Sequence, residues 1–471
     1  MPQRRSHVAP SAAQSELAAA LAALRTDLDA PVEFSAAALA EAEAASPAAP
    51  ALDLREIPFA TLDPAGSRDL DQAFRLARDG SGYTVRYAIA DVPSFVAPGG
   101  AVDAEARERG QTIYAADGSI PLHPPVLSTD RASLLPDVDR PALVWTFRLD
   151  ADGVALEHRL ERALIRSRAK LDYVSTQRAL DAGEETPAAL LPEIGALRLA
   201  QESARGGASL NLPDEEVVRA ADGSYAIERR SPLPVEDANA QLSLMTGMAA
   251  AELMIGAGVG VLRTMPQPDE RAFETFRRQT EALGRPWTQG RYGDYLRGLD
   301  RADPMTLPVL QAAAGLFRGA GYETFDGAVP ADPVQAAIGA PYAHVTAPLR
   351  RLVDRWGLAI CLAVSRGEEP PAWARDSLSG LPALMQASGQ RASRLDAATI
   401  NAVEAALLTP LVGSRIEATV IAVRGEKATV QLAEPVVTGT APAPPDVRPG
   451  DRLTLLVVRA DIARGEIEFA L

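Results

Sequence analysis

Apolar spacing changes period repeatedly along this chain, so no single layer of one element type can account for it. In residues 11–29, Leu17, Leu21, Leu24 and Leu28 recur three and four apart, the signature of one helix face. Asp29-Ala-Pro ends that run, and Ser35 is placed to cap a second helix to about Ala45. Two short helices joined by a turn predict a helix-turn-helix-like unit over residues 1–50. So few residues give a thin core, and the unit is expected to lean on another domain. From about Leu52 the texture becomes strand-like. Tyr83–Ala90 alternates and then turns apolar throughout, as a strand entering a core does. Leu143–Leu149 ends in Asp150-Ala-Asp-Gly, a turn signal, and Ala155–Ile165 is expected to pair back as a hairpin. Residues 169–205 and 236–320 read as mainly helical, and Val334–Ala363 as a helix interrupted at Ala347-Pro348. After residue 405, runs at Ile416–Val423, Ala428–Leu432, Arg452–Val458 and Glu466–Leu471 are short strands between Gly or Pro turns, the pattern of a small OB-type barrel. The fold class is therefore α+β and multidomain: a helical segment 1–50, a mixed α/β domain 51–405, and a barrel 406–471.

Composition narrows the function classes. A length of 471 residues suits about three domains at ~150 residues each. No apolar run reaches the ~18 residues that span a bilayer. Arg4 and Arg5 are followed by an Ala/Ser/Gln segment, where a secretory signal needs an apolar centre, so a cytoplasmic chain without membrane partners is expected. Cys361 is the only cysteine, which excludes an intrachain disulfide and a thiolate cluster. His7, His123, His158 and His344 are too scattered for a zinc motif. A net charge of −15 argues against a wholly basic nucleic-acid surface, but leaves a local basic groove open.

The chemistry-bearing stretch is Thr61-Leu-Asp63-Pro-Ala-Gly-Ser-Arg-Asp69-Leu-Asp71-Gln72-Ala. Three carboxylates bracket a Pro-Ala-Gly-Ser loop able to fold them onto one point. Oxygen-only donors of this kind suit hard cations such as magnesium or manganese. The spacing fails the EF-hand template, and on spacing alone a solvated acidic loop is the favoured reading over a metal site.

The flanks carry more. Asp63-Pro-Ala-Gly-Ser-Arg-Asp-Leu-Asp-Gln-Ala closely resembles the catalytic signature of RNase II and RNase R exoribonucleases. The likeness continues through Tyr87-Ala-Ile-Ala-Asp91-Val-Pro, Arg109-Gly-Gln-Thr-Ile-Tyr114, Ile120-Pro-Leu-His-Pro-Pro, Ser133-Leu-Leu-Pro and Ser167-Arg-Ala-Lys170-Leu-Asp-Tyr173. It ends in Tyr342-Ala-His-Val-Thr346-Ala-Pro348-Leu-Arg350-Arg351, so it covers roughly residues 52–365 in order. The terminal barrel is similar to the S1-type RNA-binding domain that closes these enzymes.

This resemblance implies a hydrolytic 3′→5′ exoribonuclease acting as a monomer on single-stranded RNA, with one or two Mg2+ ions, or Mn2+, at the acidic cluster. Asp63, Asp69, Asp71 and Arg350 would be catalytic, with Asp63, Asp69, Asp71 and Gln72 as the metal set. Gln72 stands where the family usually has aspartate, which removes one charge and predicts a weaker second ion. Tyr114 would stack on the 3′ nucleotides and Tyr173 would tell ribose from deoxyribose. Lys170, Thr346 and Arg351 are further RNA contacts. For Asp91 a turn role is at least as well supported as catalysis, for His344 a structural role more so, and Arg351 and Arg355 also read as surface helix arginines. Leu210 replaces a usual phenylalanine, and Gln241 or Ser243 stands near missing glutamates. About 50 residues leave no room for the usual N-terminal cold-shock pair, so the grip on RNA should be shorter and duplex unwinding limited. Gln72 and Leu210 keep a second reading open, a catalytically weakened RNA-binding relative.

Overall fold

The computed structural model describes the chain except residues 1–3, 8–11, 29, 116–117, 209, 211–213, 220–224, 301–302, 304, 433 and 436. The expected turn at Asp29 lies outside the described residues. Two N-terminal helices are present, α1 (Ala12–Asp27) and α2 (Ala36–Ala44), and α3 (Ala101–Arg109) follows them in the chain. Ser35 caps α2 as expected, its hydroxyl accepting from Ala38 N–H at 3.1 Å.

The central sheet contains β1 (Leu52–Asp53), β2 (Phe59–Asp63), β3 (Gln72–Asp79), β4 (Gly82–Ala90), β5 (Asp139–Leu149) and β6 (Ala155–Asp172), in the order β1-β6-β2-β3-β4-β5. β6 also pairs with β5, so the sheet closes on itself. The expected hairpin strand from Ala155 does not stop at Ile165. Its second half runs parallel to β2, from Phe59 against Ser167 to Asp63 against Asp172. That pairing holds residues 169–172, expected in a helix, in strand form. Only then does Asp172 cap α4 (Tyr173–Asp181), accepting from Ser175 N–H at 2.9 Å.

Helices α5 (Leu191–Arg205), α6 (Pro234–Ala257) and α7 (Leu352–Ser365) follow. α6 and α7 pack on the closed sheet around Tyr87, Trp145, Leu242, Met245 and Trp356, all buried. The 236–320 stretch is not helical throughout. Val259–Thr264 leaves α6 and pairs antiparallel with Gly321–Asp326, its first four residues fully buried against the core. The helix expected from Val334 begins only at Leu352, because Val334–Gln335 and Ala340–Pro341 form a small hairpin and Pro348 interrupts the remainder.

The long α8 (Leu381–Leu408) runs into the terminal barrel. The barrel strands are β7 (Arg415–Arg424), β8 (Lys427–Leu432), β9 (Val437–Pro442), β10 (Arg452–Asp461) and β11 (Glu466–Ala470), ordered β9-β8-β7-β10-β11. β9 was not expected, since Gly439 and Pro442 break its pattern. Gly439 lies under the Phe469 ring, where a Cβ would sit 2.6 Å from a ring carbon, and that contact brings β9 to β11. The two N-terminal helices pack on different bodies. Leu17 and Leu21 of α1 enter one cluster with Ala402, Ala405 and barrel residues Val420 and Val430. Ala38 and Ala42 of α2 join the sheet-side core with Phe59 and Leu70.

Candidate active site

Asp63 closes β2, Asp71 immediately precedes β3, and Asp69 lies in the loop between. Ser133 fixes that loop: its hydroxyl donates to Arg68 C=O at 2.6 Å and accepts from Leu70 N–H at 3.0 Å. Leu134 N–H donates to Leu70 C=O, and Leu70 is fully buried, so Asp71 is carried inward with it.

Asp71 is 2% exposed. Its Oδ1 accepts from Leu349 N–H at 2.8 Å, and Arg350 Nε lies 3.5 Å from Oδ2. Burial raises the Asp71 carboxyl well above its ordinary range, against the pull of Arg350 and the Leu349 N–H. Asp63 is pushed up to about 6, first by burial and then by the neighbouring charge of Asp69, with Arg350 opposing. Its Oδ2 is buried without a hydrogen-bond partner. Asp69 Oδ2 accepts from the Tyr114 hydroxyl at 3.1 Å. The Tyr114 residue remains about half exposed. A cleft of about 400 Å³ opens there, walled by Pro64, Gly66, Arg68, Asp69, Thr112 and Tyr114.

The segments carrying Tyr114 and Arg350 are joined by backbone pairing. Thr112 N–H donates to Arg350 C=O at 2.9 Å and Leu352 N–H to Gly110 C=O at 3.0 Å. His123 Nε2 lies 3.3 Å from Pro348 O, and burial holds His123 down to about 3, so this imidazole is neutral. Lys170 Nζ donates to Ala65 C=O at 3.0 Å, which ties β6 to the acidic loop. Tyr173 stands near Asp63, and burial raises its phenol to about 12.

Several expected contacts have other occupations. Thr346 is 2% exposed, its hydroxyl 2.7 Å from Ser243 Oγ, so it supports the site from beneath and does not reach solvent. Arg351 is engaged by Asp354 at 2.9 and 2.8 Å. Arg355 is not a surface arginine. It is buried against Asp103 at 2.5 Å, because α7 is enclosed on every side. Asp91 is fully buried in an ion pair with Arg162 at 2.7 Å, a structural occupation. His344 bonds the Tyr322 hydroxyl at 2.7 Å and is held well below its ordinary range by burial. Leu210 packs against the aromatic cluster of Phe276, Trp287 and Tyr292, and Gln241 donates to Glu202 at 2.9 Å. Gln72 donates from Nε2 to Thr346 C=O.

Sequence reading missed Ser133 as a loop anchor and Asp354, whose Oδ1 also accepts from Ala347 N–H at 2.7 Å. Asp354 at the first turn of α7, three residues after Arg351, was the available signal. Among the described residues, no three acidic, histidine or cysteine side chains are gathered tightly enough to enclose a metal ion. Asp71 is taken up by Leu349 and Arg350, and Asp69 by Tyr114. The donor chemistry nevertheless fits a hard cation, and the orphaned Asp63 oxygen is a buried acceptor that such an ion would satisfy.

Comparison with known proteins identifies the family and the fold. The RNB domain family matches residues 51–357, and the RNase II-type exonuclease C-terminal S1 domain matches residues 414–471. Ribonuclease R of Escherichia coli is 28% identical over 345 residues, covering 69% of this chain and 41% of that protein. The chain spans less than half the length of the curated relatives it matches. The apo structure of Mycoplasma genitalium RNase R superposes with a TM-score of 0.87 at 18% identity, covering 97% of this chain and 78% of the other. That protein has also been solved with single-stranded and with double-stranded RNA. Yeast Ssd1, described as a pseudonuclease, shares the fold with a TM-score of 0.66 at 16% identity, covering 83% of this chain and 50% of the other. The chain belongs to the RNB family, the RNase II and RNase R group, and closes on that group's S1-type domain.

Proposed function

We propose that this chain is a hydrolytic 3′→5′ exoribonuclease that shortens single-stranded RNA to nucleoside 5′-monophosphates. The observation that carries the reading is the convergence of Asp63, Asp69, Asp71, Tyr114 and Arg350 from three distant segments, with Asp69 and Tyr114 walling the adjoining cleft. Asp63, Asp69 and Asp71 would hold Mg2+ or Mn2+. Such an ion, when bound, supplies an activated water and neutralises charge on the leaving oxygen. Arg350 presents a guanidinium suited to a phosphate and to charge developing on it. Tyr114 offers its ring to the 3′-terminal base. Tyr173, near Asp63, would meet a 2′-hydroxyl. Lys170 and the S1-type barrel extend the RNA path. The buried Thr346 and the Asp354-bound Arg351 support the site from below. A monomer with a cytoplasmic setting accords with this reading.

A second reading, an RNA-binding protein without turnover, is favoured by one observation: the described acidic side chains do not form a ready metal cage. Asp71→Asn separates the two. An exoribonuclease loses Mg2+-dependent release of nucleoside 5′-monophosphates while still binding RNA. A binding protein has no such release to lose, and that result would sink the first reading.

A further inference from the structure

Asp71 and Gln72 are neighbours at the start of β3, and both grip the loop that ends in Arg350. Asp71 Oδ1 accepts from Leu349 N–H at 2.8 Å, while Gln72 Nε2 donates to Thr346 C=O. The Thr346 hydroxyl lies 2.7 Å from Ser243 Oγ on α6, and Ser243 is hydrogen-bonded in turn to Tyr342. Thr346 itself is 2% exposed, and its partners Gln72 and Ser243 are partly buried. Between the two grips, Ala347 N–H donates to the buried Asp354 at 2.7 Å. The loop is therefore tied at Thr346, Ala347 and Leu349, and Arg350 projects from its end to reach Asp71.

We propose that Gln72 is a positioning residue: its neutral amide ties the Thr346–Arg350 loop to β3 and so holds Arg350 against Asp71, and it does not ligate metal. The partner atom is a carbonyl oxygen, which can only accept. A carboxylate at position 72 has no proton to offer. It would set two acceptors against each other in a buried place and add a second negative charge beside Asp71. A fourth acid in this chain would therefore lose the tie to Thr346. The catalytic meaning of the tether rests on the exoribonuclease reading, but the tether itself does not.

The test uses the full chain with Gln72→Asp and Gln72→Leu, read first by hydrogen exchange. The Ala347 and Leu349 amides are expected to exchange at least ~10-fold faster in both variants, on the scale of one lost buried hydrogen bond. Where Gln72→Asp fails to fold, Gln72→Leu adds no charge and still reads the loop. Unchanged exchange at both amides overturns the tether. In the nuclease assay at saturating Mg2+, both variants should lose kcat about 10-fold or more with KM for RNA within about twofold. The effect of Arg350→Ala should shrink in the Gln72→Leu background, since the two act through one element. A Gln72→Asp variant that binds Mg2+ more tightly and keeps kcat would show a ligand position and overturn the proposal. Exchange is measured without turnover, so a chain that cuts no RNA sinks the enzymatic reading and leaves the tether to stand or fall on its own result.

Discussion

Arg350 Nε lies 3.5 Å from Oδ2 of Asp71, an ion pair in which the acid is 3% exposed and the arginine side chain 48% exposed. One partner is anchored in the core while the other keeps part of its side chain toward solvent. Arg350→Ala should lower kcat by ~10²–10³, the range for removing one preorganised donor to developing charge. Arg350→Lys keeps the charge without the planar fork and should recover only part of that loss. Single-turnover hydrolysis at saturating RNA checks both.

Asp63 links stability to pH in the direction opposite to a salt-bridged aspartate. Its carboxyl sits at about 6 in the fold against an ordinary 3.8, mainly through burial. The folded chain therefore holds a proton that the unfolded chain has released between those values. Stability contributed by this group falls as pH rises from about 4 through 6. Without metal, Asp63→Asn should remove that slope and stabilise the protein at pH 7 by up to about 3 kcal/mol, the equivalent of a shift of about two pH units. The same variant should lose hydrolysis. Thermal melts with chelator at pH 4.5 and 7, with wild type alongside, read the slope directly.

Tyr114, about half exposed, carries two separable contributions, a ring and a hydroxyl bonded to Asp69 at 3.1 Å. Tyr114→Ala should weaken single-stranded RNA binding by ~1–3 kcal/mol, the value of one base stack. Tyr114→Phe keeps the ring, so affinity should hold while turnover changes through the freed Asp69. Fluorescence anisotropy in an Asp71→Asn background separates binding from cleavage.

Leu17 on α1 is fully buried between α8 and the terminal barrel. Leu17→Ala should cost ~2–5 kcal/mol, the range for a buried leucine in a close-packed core. Hydrogen exchange should locate the loss in α1, the end of α8 and the barrel, with the central sheet around Trp145 unaffected.

Much of this architecture was readable in the chain because its signals are local. The cap at Ser35, the turn at Asp150 and four of the five barrel strands each depend on a few adjacent residues. The acidic cluster was visible for the same reason, with its members confined to Asp63–Asp71. What escaped depends on distant partners. Ser133 looks like any serine until the Arg68–Leu70 loop arrives against it. Arg355 was read as a surface residue although the run from Trp356 to Ala363 is apolar on every face, a pattern of full enclosure. The continuation of β6 to Asp172 was hidden by its arginines, yet Ala163, Ile165 and Ser167 alternate inward while Arg162 and Arg166 pair with Asp91 and Asp139. The contact of Gln72 with the Thr346 carbonyl was hidden because a backbone carbonyl carries no side-chain signature in sequence.

The most direct test of the enzymatic account is digestion of a 5′-labelled RNA with a 3′ single-stranded overhang on a duplex, with and without Mg2+. The account predicts a Mg2+-dependent ladder descending from the 3′ end that slows at the duplex. Internal fragments, or protection without cleavage in either condition, would contradict it.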